Sequence, residues 1–273
     1  MKILLTAHFA EEYRGVELFN WTLAKELSKT HDVSFFTFVP GKASQKISNY
    51  ARIITKLDQD EKFDWLICSH NSCYKKVSHL CKTKLFVSHG LLSSLDDLPG
   101  DPSALTLGVS EEVFNSRKAL GVIRNPIDME RFSPSDEWGR GILYLSAEQQ
   151  PRILDKIERL GIPVERCSGE WNVEDYINKS EIVVSGARGA LEAMACKKPA
   201  IVLGPYGYDG YCGEYWELKK HNFGGRRYKK DLTLDSLRYE IGKINDKDIR
   251  ACYDYVKENH EVSKVVSRLE KLL

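Results

Sequence analysis

No excess of charge of either sign marks this 273-residue chain, in which 40 lysines and arginines stand against 39 aspartates and glutamates. So even a balance gives no reason to expect a duplex nucleic-acid binder or a strongly acidic partner, and it favours a small-molecule or surface-bound substrate. Long apolar runs are missing as well. After Met1 and Lys2 only Ile3-Leu4-Leu5 is strongly apolar before His8, too short for a signal peptide or a membrane span, and a cytoplasmic protein is expected. G-x-G-x-x-G does not occur, which disfavours a dinucleotide site, and the lack of G-x-x-x-x-G-K-[ST] argues against a P-loop nucleotidase. The seven cysteines include no C-x-x-C pair and are odd in number, so they read as buried thiols in a reducing compartment. Cys68, His70, Cys73, His79 and Cys81 crowd together without zinc spacing, and no metal site is expected. The triplets Asp58-Gln59-Asp60 and Asp246-Lys247-Asp248 lie in charged, helix-end surroundings and read as solvated surface.

What the chain does have is short apolar runs alternating with segments of helical period, the pattern of parallel strands covered by helices on both faces. Strands are expected at Lys2 to Thr6, Val33 to Val39, Asp64 to Ser69, Lys84 to Ser88, Leu105 to Val109 and Val122 to Arg124. A second series covers Gly141 to Leu145, Pro163 to Cys167, Glu181 to Val184 and Ala200 to Leu203. Val16, Phe19, Leu23, Ala24 and Leu27 fall on one face of the first helix. The class is therefore α/β with two βαβ halves. Asn125 to Glu137 carries two prolines and a polar tail and reads as a linker, so the boundary is expected near Ser133, giving domains 1–133 and 134–273. The last 30 residues read as two helices broken near Asn259-His260, and the final one is free to pack back on the first domain.

Arg188 to Leu203 reads as a turn, a helix of small residues and a buried strand, following the strand Ile182-Val183-Val184. Free N–H groups at such a helix start suit phosphate, Arg188 adds a bidentate cation, and Glu192, one turn on, can accept two ribose hydroxyls. Gly15, after the first strand, leaves room for a phosphate. His70 and His89 each end a strand, where ligands of open α/β sheets bind; His89, followed by Gly90, has more room beside its ring. Trp171, in the turn Gly169 to Asn172, is placed either to stack on a base or to pack in the core. Gly204 to Gly213 reads as a glycine and tyrosine loop opening a helix at Glu214, suited to a sugar or phosphate. Lys219, Lys220, Arg226, Arg227, Lys229 and Lys230 form a basic cluster that reads as a solvated face.

Arg124-Asn125-Pro126-Ile127-Asp128-Met129-Glu130-Arg131-Phe132 resembles the interdomain segment of GT-B glycosyltransferases of the family 4 type. Leu191 to Pro199, Arg14-Gly15-Val16-Glu17 and Val87-Ser88-His89-Gly90 are similar to that family in order and spacing, so the resemblance covers most of the chain. It implies two Rossmann-like domains with a cleft between them, the nucleotide-sugar donor on the second and the acceptor on the first. It also implies that Glu192 binds ribose hydroxyls, that Arg188, Gly189, Ala190 and Leu191 hold the diphosphate, that Gly15 approaches it from the other domain, that Trp171 lies near the base, and that His89 lies beside the donor sugar. Two features depart from the pattern. A second glutamate is usual eight residues before the ribose one, where this chain has Val184, with Asp209 as the replacement to consider. An arginine and lysine pair after the first strand of the second domain is also missing, with Arg152 the nearby candidate.

The expectation is a metal-independent glycosyltransferase that moves a sugar from a nucleoside diphosphate, with retention as the resemblance implies. Its acceptor is a hydroxyl on a glycan, a lipid-linked glycan or a modified nucleobase. No cofactor is expected beyond the donor substrate, and the catalytic set is His89, Arg188 and Asp209. A sugar-nucleotide epimerase of the same fold, and a nucleotide-sugar-binding module without turnover, are the alternatives.

Overall fold

The computed structural model describes all residues except 92, 137–138, 148–149, 205–206, 214–219, 226–229 and 273. It divides into a first unit, Met1–Pro126 with Val262–Leu273, and a second unit, Ile127–Glu261. The division falls earlier than Ser133 and returns the last helix to the first unit.

The first unit is built from β1 (Lys2–Ala10), α1 (Gly15–Leu27), β2 (Asp32–Pro40), α2 (Lys42–Ile47), β3 (Arg52–Ile54), β4 (Phe63–Cys68), α3 (Asn71–Val77), β5 (Cys81–Ser88), β6 (Ala104–Gly108), α4 (Glu111–Arg117) and β7 (Gly121–Val122). The strands form one seven-stranded sheet in the order β3-β2-β1-β4-β5-β6-β7, with every pairing parallel. Strand 1 runs on to Ala10, paired there with Pro40, where a turn from Thr6 was expected. Phe19, Leu23, Ala24 and Leu27 of α1 are buried as the helical spacing predicts. The terminal helix, which becomes α10 (Val262–Glu270) in chain order, packs against α1 and buries Val262, Val265, Val266 and Leu269.

The second unit comprises β8 (Ile142–Leu145), α5 (Pro151–Glu158), β9 (Val164–Cys167), α6 (Val173–Lys179), β10 (Ile182–Ser185), α7 (Arg188–Ala195), β11 (Ala200–Gly204), β12 (Gly207–Tyr211), α8 (Leu234–Ile241) and α9 (Asp246–Asn259). Its sheet order is β12-β11-β10-β8-β9. All pairs are parallel except β11 with β12, so the expected glycine and tyrosine loop is in part an antiparallel edge strand. Gly210 has φ +96°, and a Cβ there would lie 2.7 Å from the Glu240 carboxyl carbon, so glycine lets that buried carboxylate accept the Tyr211 N–H. Pro205, Tyr206 and Glu214 of the expected loop lie outside the described residues, as do Lys219, Arg226, Arg227 and Lys229 of the basic cluster.

The supposed linker is packed. Ile127 and Phe132 belong to the second unit's core, and Asp128 Oδ1 accepts the N–H groups of Glu130 and Arg131 in a tight turn. An aspartate satisfying its own following N–H groups is what lets a proline-containing segment fold tightly without regular structure.

Each sheet has one point where successive strands depart in opposite directions. In the first unit it lies between β1 and β4, in the second between β8 and β10. Loops diverge there and leave a crevice at the carboxyl ends of the strands, the general ligand position of open α/β sheets.

Candidate functional site

At the second unit's reversal point the chain leaves β10, turns at Gly186 and Ala187, and enters α7. Ser185 Oγ donates to the Leu145 carbonyl at 2.8 Å and ties the carboxyl ends of β10 and β8 together. A Cβ on Gly189 would come within 2.2 Å of that Oγ, so glycine allows the helix to start so close to the strand. Ala187 precedes α7 with φ +49° and ψ −121°, and no side chain caps the helix. Its N–H donates to the Phe223 carbonyl at 2.6 Å, and Asn222 and Phe223 also have positive φ. Non-glycine residues in that region cost about 1–3 kcal/mol each and gather where function demands a particular backbone path.

Arg188 and Glu192 face each other one turn apart, Nε to Oε1 at 2.7 Å, exposed by only 7% and 3%. Burial pulls the guanidinium down and pushes the carboxyl up, each opposed by its partner's charge. An arginine keeps its proton inside proteins, so Glu192 faces a fixed positive charge that opposes the upward push of burial. Glu192 Oε2 has no partner among the described residues. A carboxylate has about four lone-pair positions, so Glu192 retains capacity for hydroxyl donors.

Asp128 and Arg131 act electrostatically on Arg188, and Arg131 and Glu174 on Glu192. Arg131 donates to Glu174 Oε2 at 2.8 Å and to the Trp171 carbonyl, and its guanidinium lies 4.1 Å from the Trp171 ring centroid. The tight turn at Asp128 thus aims Arg131 at Trp171 and at the α7 start. Sequence reading passed over Arg131 and Glu174 as site residues. The signal was present, since Arg131 lies inside the Asn-Pro-x-Asp segment and Glu174 in the helix start after Trp171. Asn172 is the residue before α6, but its side chain bonds Asp175 Oδ2 and no backbone N–H.

Among the expected residues, Arg188, Gly189, Ala190, Leu191 and Glu192 share the first turns of α7. Trp171 joins them through Arg131. Arg152 stays apart, exposed in the first turn of α5 and bonded to none of them. Asp209 is wholly buried on β12. Val184 is a core residue packed in a cluster with Tyr144, Ile201 and Tyr208, a setting that would strand a charged carboxylate without water.

Gly15 and His89 belong to the first unit. Gly15 opens α1 and is exposed, and a Cβ there would meet nothing within 4 Å. His89 follows β5, donates its backbone N–H to Asp96 Oδ1 at 2.9 Å and meets Phe19 edge to face at 4.7 Å. Nearby in sequence to Gly15, Glu17 is 95% removed from solvent, and burial raises its carboxyl from 4.5 to about 7. His70 is held neutral, its pKa lowered to about 4 by burial and by His8. Among the described residues no three His, Cys, Asp or Glu side chains stand together as a metal site, and no helix is long and apolar enough to cross a membrane.

No protein-family model matches the chain, and no curated protein matches it. Solved structures match along its whole length. HepE of Anabaena in complex with UDP-glucose superposes with a TM-score of 0.72 at 14% identity, covering 100% of this chain and 99% of that one. A glycosyltransferase from Rickettsia africae gives 0.68 at 13% identity, covering 99% and 97%. An alpha-glucosyltransferase in complex with UDP and a mismatch-containing 13-mer DNA gives 0.64 at 12%, covering 100% and 99%. The fold is that of the GT-B glycosyltransferases.

Three outcomes are expected. Ala187→Gly relieves the positive-φ turn and stabilises the protein by about 1 kcal/mol in urea denaturation. Glu192→Ala takes from the buried Arg188 the carboxylate it donates to and costs about 3–5 kcal/mol, while the double variant Arg188→Met/Glu192→Leu recovers most of that loss. Glu17 binds its proton more tightly folded than unfolded, so its contribution to stability declines as pH rises from 4.5 to about 7. Glu17→Gln therefore gains on the wild type between those values, by up to about 3 kcal/mol, and parallel Tm curves for the two proteins across that range would refute the assignment.

Proposed function

We propose that this chain is a glycosyltransferase that takes its sugar from a nucleoside diphosphate donor bound at the start of α7 and passes it to a hydroxyl acceptor. The observation that carries the reading is the buried Arg188–Glu192 pair at the second unit's reversal point, with Glu192 Oε2 uncommitted. Packing alone gives no reason to bury two charges there, because apolar residues of similar volume cost less. A ribose diol can donate to Glu192, and the diphosphate can meet the first N–H groups of α7 and the positive end of its dipole. Trp171, one face covered by Arg131, is positioned as one wall for the base. The neighbouring HepE and alpha-glucosyltransferase structures contain UDP-glucose and UDP, which supports a uridine diphosphate sugar as the first donor to try.

On this reading the departing diphosphate is stabilised by fixed dipoles and Arg188, and losing one such contact costs about 10²-fold or more in rate. No metal is required by this arrangement, and the resemblance to family 4 enzymes supports transfer with retention. Both follow from one assay, in which product is formed in the presence of a chelator and its anomeric configuration is read by NMR.

The decisive experiment is a thermal-shift and calorimetric screen of UDP, ADP, GDP and UDP-glucose against the wild type and Glu192→Gln. At a hundred times Kd a ligand adds about 2.7 kcal/mol, a rise of several degrees in Tm. One nucleotide is expected to give that rise in the wild type and to bind at least 10-fold more weakly to the variant. No rise with any nucleotide, or equal rises in both proteins, would overturn the site. Conversion of the donor to its epimer without acceptor would replace transfer by epimerisation.

A further inference from the structure

The buried thiols of this chain are engaged in different ways. In the first unit Cys68 and Cys81 donate to the carbonyls of His70 and Val77, so each sulfur is occupied by a backbone oxygen. In the second unit Cys212 and Cys252 meet each other, Sγ to Sγ at 3.7 Å, although 40 positions of chain separate them. They are exposed by only 1% and 3%.

Both backbones are held in place. Cys212 directly follows β12, and its N–H donates to the Ala200 carbonyl of β11 at 3.0 Å. Cys252 lies on the buried face of α9, one turn before Val256. The two share a core cluster with Ala190, Leu191 and Met194 of α7. A disulfide has its sulfurs about 2.05 Å apart, so from their 3.7 Å contact these two close by about 1.7 Å, within reach of modest χ1 rotations. The surroundings set the rate. The hydrogen bond with Cys212, burial and the charge of Asp248 all push the Cys252 thiol up. A thiol held protonated is a slow nucleophile, so passing oxidants leave the pair alone and sustained exposure converts it.

We propose that Cys212 and Cys252 are an oxidation site, a dithiol that a hydroperoxide converts to a disulfide fastening edge strand β12 to α9. Hydrogen peroxide, entering on local opening, oxidises one thiol to a sulfenic acid and is itself reduced, with one water released. The partner sulfur then attacks the sulfenic sulfur; the S–O bond breaks, the hydroxyl leaves as a second water with the attacking thiol's proton, and the S–S bond forms. Two sulfurs already in contact make this second step intramolecular, so it outruns further oxidation to sulfinic acid. A dithiol reductant returns both thiols. The bond ties together positions 40 residues apart, and a cross-link of that span restrains the opening of the second unit.

Peptide mapping of the wild-type protein, held in hydrogen peroxide and then unfolded with its free thiols capped, tests the site. The expected product is the cross-linked pair of peptides carrying Cys212 and Cys252, lost on treatment with dithiothreitol. In the protein so oxidised, native-state maleimide labelling of Cys167 and Cys196 is expected to slow by about 10-fold or more, with Cys68, Cys73 and Cys81 unchanged within twofold. In Cys252→Ala, peroxide is expected to give no cross-link at Cys212 and to leave the Cys167 and Cys196 rates as they were. The wild-type map stands whether or not that variant folds. Recovery of Cys212 and Cys252 as thiols or sulfinic acids, or joined to other cysteines, overturns the site. A Cys212–Cys252 disulfide with unchanged labelling of Cys167 and Cys196 overturns the fastening.

Discussion

Two ionisable side chains, Arg188 and Glu192, are held away from water at the point where one strand gives way to one helix, and much of the second unit is arranged to make that tolerable. Each would be costly without the other, and the pair in turn lies in the field of Arg131, Asp128 and Glu174. The backbone carries a share of the burden. Ala187 accepts a left-handed conformation, Gly189 gives up its side chain to Ser185, and the Phe223 carbonyl fixes the turn from outside. Rigidity of this kind is what a site needs if its dipoles are to be aimed before a charged ligand arrives.

The two sheets arrive at comparable solutions by different chemistry. In both, a side chain or ring ties the two diverging strands at their carboxyl ends: Ser185 Oγ to Leu145 in one, His70 Nδ1 to the His8 N–H in the other. In both, the helix that follows a strand presents polar groups from its first turns. The second unit offers an ionic pair and helix N–H groups, which suit phosphate and ribose. The first buries neutral polar groups with one carboxyl that burial keeps protonated to near neutrality.

How much of this was legible in the sequence follows the physics of each element. Buried parallel strands are continuous apolar runs, and ten were readable within a few residues. Strand β3 is three residues long and carries too little pattern, while β12 reads as a loop because Gly207 to Tyr211 takes its strand character from pairing with β11. The α7 start was readable from its small residues, and Glu192 from its place one turn in. That Arg188 already holds Glu192 was not, since a spacing of four permits contact without requiring it. Asn125 to Phe132 read as a linker from its prolines, but Asp128 folds it into the core. Glu17 stood in the Arg14-Gly15-Val16-Glu17 resemblance without a role of its own, and the burial of Glu17 and Asn20 was not legible because α1 is buried on more than one side.

All seven cysteines are buried and free, three in the first unit and four in the second. Burial pushes the thiols of Cys68 and Cys81 up to about 12, Cys167 to about 11 and Cys196 to about 12. Since the thiolate is the reactive form, these side chains are silent toward alkylating reagents until the surrounding structure opens. Each unit thus carries its own built-in clock for local unfolding. The labelling rate of Cys68, Cys73 and Cys81 times the opening of one sheet, and that of Cys167, Cys196, Cys212 and Cys252 times the other.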